Sequence, residues 1–92
     1  MNNLDKLSAV FKINEKMKES KSKQIVNSVI NGIKSNLLKI GDRLPSLNDI
    51  SFEYRLSKDT VQRAYIELRD RGIIESVPGK GFLLKGVIQK IP

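Results

Sequence analysis

What most limits the fold of this chain is a change of apolar period at Gly72. Upstream, Val26, Val29, Ile30, Ile33 and Leu37 recur at helical spacing, as do Val61, Ala64, Tyr65 and Leu68. Downstream, Ile73 to Val77 and Gly81 to Lys85 are short strand-like runs around Pro78-Gly79-Lys80-Gly81, the composition of two strands joined by a tight turn. A third helical stretch lies between the two stripes. The expected fold class is therefore mainly α with a small β-hairpin: three helices, then the hairpin. The 92 residues suit one domain with one thin core.

Local signals sharpen the boundaries. The first helix is expected from about Ser22 to near Asn36, with Leu37 to Ile40 leading out. Gly41 to Ser46 reads as a connection, because Pro45 stops any helix through it and biases Leu44 towards an extended backbone. Ser46 opens a second, short helix in a Ser-x-x-Asp capping box, with Leu47, Ile50 and Tyr54 inward and an end near Arg55. Ser57 caps a third. Asp59 in its first turn suits the helix dipole, and Gly72 after Arg69 and Arg71 suits a left-handed stop. Residues 1–21 are expected to be an arm, partly mobile, docking through Phe11 and Ile13; a short extra helix fits the same stretch. Residues 22–86 form the domain, and 87–92 the start of a linker.

Composition excludes several classes of chemistry. There is no cysteine and no histidine, so no disulfide, thiolate metal site or imidazole base is available. Asp42, Asp49 and Asp59 stand on separate elements, which disfavours a carboxylate-dependent nuclease. Gly72 lies seven positions before Gly79, and Gly81 follows the lysine, so a phosphate-binding P-loop fails on spacing. No catalytic residue, metal or cofactor is expected. No apolar run approaches a membrane span, and Met1 to Phe11 lacks the apolar core of a signal peptide, so a cytoplasmic location is expected. The formal charge of +7 points to a polyanionic partner.

Two short helices separated by three residues match a helix-turn-helix, in which the second helix lies in the major groove of DNA. Its first turns carry Ser57, Lys58, Asp59, Thr60 and Gln62: hydroxyls and a helix N-terminus for phosphates, lysine for phosphate or guanine, glutamine for adenine. The Pro-Gly-Lys-Gly tip sets Lys80 on a tight loop whose glycines let backbone approach a phosphate. The competing reading is a winged-helix protein-interaction module whose charge merely solvates it.

Gly41-Asp42-Arg43-Leu44-Pro45-Ser46, Leu56-Ser57-Lys58-Asp59-Thr60-Val61, Ala64-Tyr65-x-x-Leu68, Arg71-Gly72-Ile73-Ile74-Glu75 and Pro78-Gly79-Lys80-Gly81-Phe82 together resemble the GntR family of bacterial transcription regulators over about residues 23–85. The resemblance implies a winged helix-turn-helix and a homodimer on a partly palindromic double-stranded operator. It also implies a small-molecule effector bound by a C-terminal domain outside this chain, so that the chain reads as a fragment cut in its linker rather than a short member. By position, the implied DNA contacts are Ser46, Asn48, Ser57, Lys58, Asp59, Thr60, Gln62, Gly79 and Lys80. Asn48 and Gln62 stand where relatives often carry arginine, which implies a different operator sequence. Asp59 would repel phosphate, so a cytosine amine or helix capping is its expected role. Arg55 occupies a turn position usually held by glycine, implying strain or another turn geometry. Phe52 falls off the apolar stripe of the second helix and is expected to pack under the arm, the sharper alternative being a contact with a second protomer or a further domain.

Overall fold

The computed structural model describes residues 10–85, in which α1 (Lys21–Lys34), α2 (Leu47–Tyr54), α3 (Lys58–Asp70), β1 (Ile74–Val77) and β2 (Gly81–Leu84) follow in order. A serine caps each helix. The Oγ of Ser20 accepts from the Lys23 amide at 3.2 Å, that of Ser46 from Asp49 at 3.0 Å, and that of Ser57 from Thr60 at 3.1 Å. Each cap satisfies an amide with no partner inside its helix. α1 and α3 pack against each other, and α2 and β1 pack on α3. The core lies between them, with Ile25, Val29, Ile50, Val61, Leu68 and Leu84 buried.

α1 stops at Lys34, short of the expected Asn36. Asn36 turns to φ 64°, and the amides of Leu37 and Leu38 both donate to the Gly32 carbonyl, at 2.9 and 3.0 Å. The reversal shifts the apolar phase: Leu37, expected inward, is exposed, and Leu38 enters the core instead. Gly32 permits this return, since a Cβ there would meet Leu38 Cδ1 at 3.0 Å. The stripe reading also passed over Ile25, which is fully buried.

Phe11 is buried and Ile13 half-buried, as expected of the arm; Val10 is helical, and between residues 11 and 20 there is no helix. Polar contacts add to this apolar anchor. The buried Gln24 accepts from the Asn14 amide at 2.7 Å and donates to the carbonyls of Asn14 and Glu19, each at 3.0 Å. Ser28 Oγ accepts from the Lys12 amide at 3.1 Å, and the Tyr54 hydroxyl donates to the Phe11 carbonyl at 3.1 Å. Phe52 does not pack under the arm: it is 85% exposed, and Tyr54 faces the arm instead. The reason is phase, since Phe52 falls on the outer side of a helix whose inner side is set by Ile50 and Tyr54.

β1 and β2 pair antiparallel, with Ile74 opposite Leu84 and Val77 opposite Gly81. The Lys80 amide donates to the Val77 carbonyl at 2.9 Å, with Pro78 second in the turn and Gly79 third at φ 82°, the pattern of a type II turn. The Gly41–Ser46 connection turns out to add to the sheet. Gly41 donates to Leu84 at 2.7 Å, Leu84 to Asp42 at 2.8 Å and Leu44 to Phe82 at 2.8 Å, with an antiparallel bridge between Arg43 and Leu83. β2 is thereby paired on both edges. The architecture is a three-helix winged helix-turn-helix.

Candidate nucleic-acid interface

α3 carries two opposed stripes. Val61, Ala64, Tyr65 and Leu68, at i, i+3, i+4 and i+7, are its buried face. Asp59, Gln62, Arg63 and Ile66 repeat that spacing two residues out of phase, which rotates them by about 200° around the axis, and all four are exposed. A helix with this division is held rigidly by one side and offers the other. Ser57 and Thr60 stand at its N-terminus, their hydroxyls 2.9 Å apart, with Lys58 exposed beside them. Free amides there and the positive end of the helix dipole favour an anion.

α2 and the three residues Arg55 to Ser57 set the approach of α3. Arg55 lies in the left-handed region at φ 56°, ψ 47°, so the strained alternative holds at the position where glycine is common. The Leu56 amide donates to the Ser51 carbonyl at 3.0 Å, and the Ser51 hydroxyl donates back to the Leu56 carbonyl. This closes the turn without glycine. Ser46 and Asn48 are both exposed at the start of α2.

Tyr65 joins the parts. Its hydroxyl donates to the Pro45 carbonyl at 2.7 Å, just ahead of the α2 cap, and its ring meets Phe82 of β2 edge-on with centroids 4.9 Å apart. One side chain on the buried face of α3 thus ties both the start of α2 and the wing to α3. Burial, with a smaller contribution from Asp49, pushes the Tyr65 phenol well above its usual range. At the wing, Gly79 and Lys80 are exposed at the tip. The Arg43 side chain reaches the turn end of β2, its Nε 3.6 Å from where a Cβ on Gly81 would sit.

The sequence-derived set therefore falls on three exposed places: Ser46 and Asn48 on α2, Ser57 to Gln62 on α3, and Gly79 with Lys80 at the wing tip. Arg63, Ile66 and Arg43 were passed over. The first two were legible, because the i, i+3, i+4, i+7 spacing from Asp59 names them; Arg43 had no such signal, since it bridges to β2 from a connection that read as a loop. Ion pairs among the described residues engage Lys23, Arg63, Arg69 and Arg71. Arg43, Arg55, Lys58 and Lys80 belong to none of them. Among the described residues no cluster of acids, histidines or cysteines could hold a metal, and no helix is long and apolar enough to cross a membrane.

Residues 21–84 match the family model described as bacterial regulatory proteins, gntR family. An HTH-type transcriptional regulator of Bacillus subtilis, YcxD, is 50% identical over 44 residues, which cover 48% of this chain and 10% of that protein. The structure of YtrA from Sulfolobus acidocaldarius, a GntR-family transcription factor, superposes with a TM-score of 0.76 at 32% identity, covering 86% of this chain and 83% of that one. The domain of AraR crystallised with operator ORE1 shares the fold, with a TM-score of 0.67 at 19% identity over 79% of this chain and 89% of that one. The chain spans less than half the length of each curated relative it matches.

Proposed function

The chain belongs to the gntR family of bacterial regulatory proteins, as a winged helix-turn-helix DNA-binding domain, and from that premise we propose how it engages DNA. α3 enters the major groove while the wing tip lies on the adjacent backbone or minor groove. Gln62 grips a base edge, adenine by its chemistry. Ser46, Ser57, Lys58 and Thr60 hold phosphates and set the register, Asn48 reaches a base edge from the start of α2, and Asp59 lies among them facing the bases. Gly79 and Lys80 hold the neighbouring strand through a backbone amide and an ammonium. Residues 22–86 are the binding unit and residues 1–21 its arm; the linker start expected at 87–92 lies outside the described residues, as do residues 1–9 of the arm. A homodimer would place one copy on each half of a partly palindromic operator in the cytoplasm. Repression and a small effector bound by a further domain complete the reading. The DNA-binding domain of AraR, crystallised in complex with an operator, shares this fold.

The observation that carries the proposal is the pair of opposed stripes on α3, one locked into the core and one exposed, with further exposed polar residues at the start of α2 and at the wing tip. Binding to duplex DNA measured against salt tests it. Each phosphate contact should contribute about −0.9 to the log–log slope. Lys80→Ala should weaken all sequences alike and flatten the slope by about one contact. Gln62→Ala should relax preference at one base pair by about 1–3 kcal/mol. Uniform loss for Gln62→Ala would remove it from base reading, and a slope near zero would reject the interface.

A further inference from the structure

The outward stripe of α3 contains an ion pair that the proposed contacts leave unused. Arg63 Nη2 lies 2.9 Å from Asp59 Oδ2, one turn apart, with the two side chains 72% and 69% exposed. Asp59 alone would be a poor neighbour for phosphate, whereas paired it carries little net charge. The pair is a weak stabiliser of the fold, since it is solvated and Asp59 already benefits from the helix N-terminus. The other ion pairs of α3 involve Glu67, Arg69 and Asp70 in its second half, away from the polar cluster at Ser57. Asp59 and Arg63 lie on the face turned from the core, flanking Gln62 in the stripe.

We infer that Arg63 is a base-reading residue for guanine and that Asp59 is the positioning residue that holds it. A guanidinium has five N–H donors in a planar fork, and one carboxylate engages two at most. The donors that remain match O6 and N7 of guanine in the major groove, the commonest specific contact of arginine. Held in place by Asp59, the fork has less freedom to lose on binding, so the couple contributes selectivity more than bulk attraction. The target is thus a duplex with a G·C pair next to the base pair read by Gln62. This rests on the DNA-binding reading above.

Selection of the 92-residue chain against a random-core duplex pool at low salt tests it, with Arg63→Ala, Arg63→Lys and Asp59→Asn run in parallel. None of these side chains enters the core, and circular dichroism checks that each variant is folded. The wild-type chain should select a motif with a guanine column. Arg63→Ala should lower that preference on the order of tenfold and leave other columns intact. Arg63→Lys should keep affinity for bulk duplex without restoring the column, because lysine lacks the fork. Asp59→Asn should weaken the same column by a smaller factor while raising affinity for every sequence. An unchanged motif with uniform weakening in Arg63→Ala would make Arg63 a phosphate contact. An unchanged motif and affinity would make the pair a helix brace only. Either result overturns the inference, and an unaffected guanine column in Asp59→Asn overturns the role of Asp59. Absence of any motif from the wild-type chain would instead strike the DNA-reading proposal.

Discussion

At Arg55 the backbone sits at φ 56°, where a Cβ crowds the following carbonyl at a cost of about 1–2 kcal/mol relative to glycine. Arg55→Gly should raise unfolding stability in urea by about 1 kcal/mol after its own chain-entropy penalty is subtracted. Phe52 gives the opposite kind of test. With 85% of its surface in water, Phe52→Ser should alter stability by no more than about 0.5 kcal/mol in the same melts. A larger loss would mean that it packs on the chain after all. Tyr65 is the residue where one atom counts: Tyr65→Phe removes the hydroxyl that donates to Pro45 and should cost about 1 kcal/mol. The same change has a pH signature. Burial first and Asp49 second raise the phenol in the folded state, so the unfolded chain releases that proton earlier, near pH 10. The stabilisation is complete below that point and is lost as pH rises beyond it. Tyr65→Phe should flatten this alkaline limb of the stability curve.

Between elements, the joints are made by side chains whose partners are distant in sequence. Gln24→Leu would leave the amide and carbonyl of Asn14 without their present partners, at a cost of about 1–3 kcal/mol, and the Asn14 amide should exchange with solvent faster. These joints explain what the sequence did and did not reveal. α3 was legible because its buried stripe, its serine cap and its glycine stop all agree, and the hairpin because Pro78-Gly79 dictates its own turn. The docking of the arm through Phe11 and Ile13 was legible too, but the Gln24 clasp was not, since a single glutamine gives no period and its partners are backbone groups five and ten residues away. The end of α1 was missed because Leu37 and Leu38 are both apolar, and only the close approach over Gly32 decides which one enters the core. The pairing of the Gly41–Leu44 segment was hidden for a related reason: its bridge and hydrogen bonds are with β2, forty residues on, and its glycine and the following proline read locally as a loop. Of the candidate interface, the exposed positions on α3 and at the wing tip were legible from type and spacing, whereas Ser46 and Asn48 came only from the family resemblance. The Asp59–Arg63 couple needed the exposed stripe to be followed two residues out of phase.

At the scale of the molecule, a positively charged body presents one rigid helix face and one glycine-hinged cation, joined through Tyr65. Charge alone would draw any duplex, and the joined geometry is what makes the approach specific. The most direct test is therefore spatial. An isotope-labelled chain titrated with duplex DNA at low ionic strength should show amide shift changes concentrated at Ser57 to Ile66, at Ser46 and Asn48, and at Gly79 and Lys80. Phe52 and Leu37 should stay quiet. Shift changes centred on Phe52 or on the Leu37 turn, with the α3 stripe unmoved, would contradict the account.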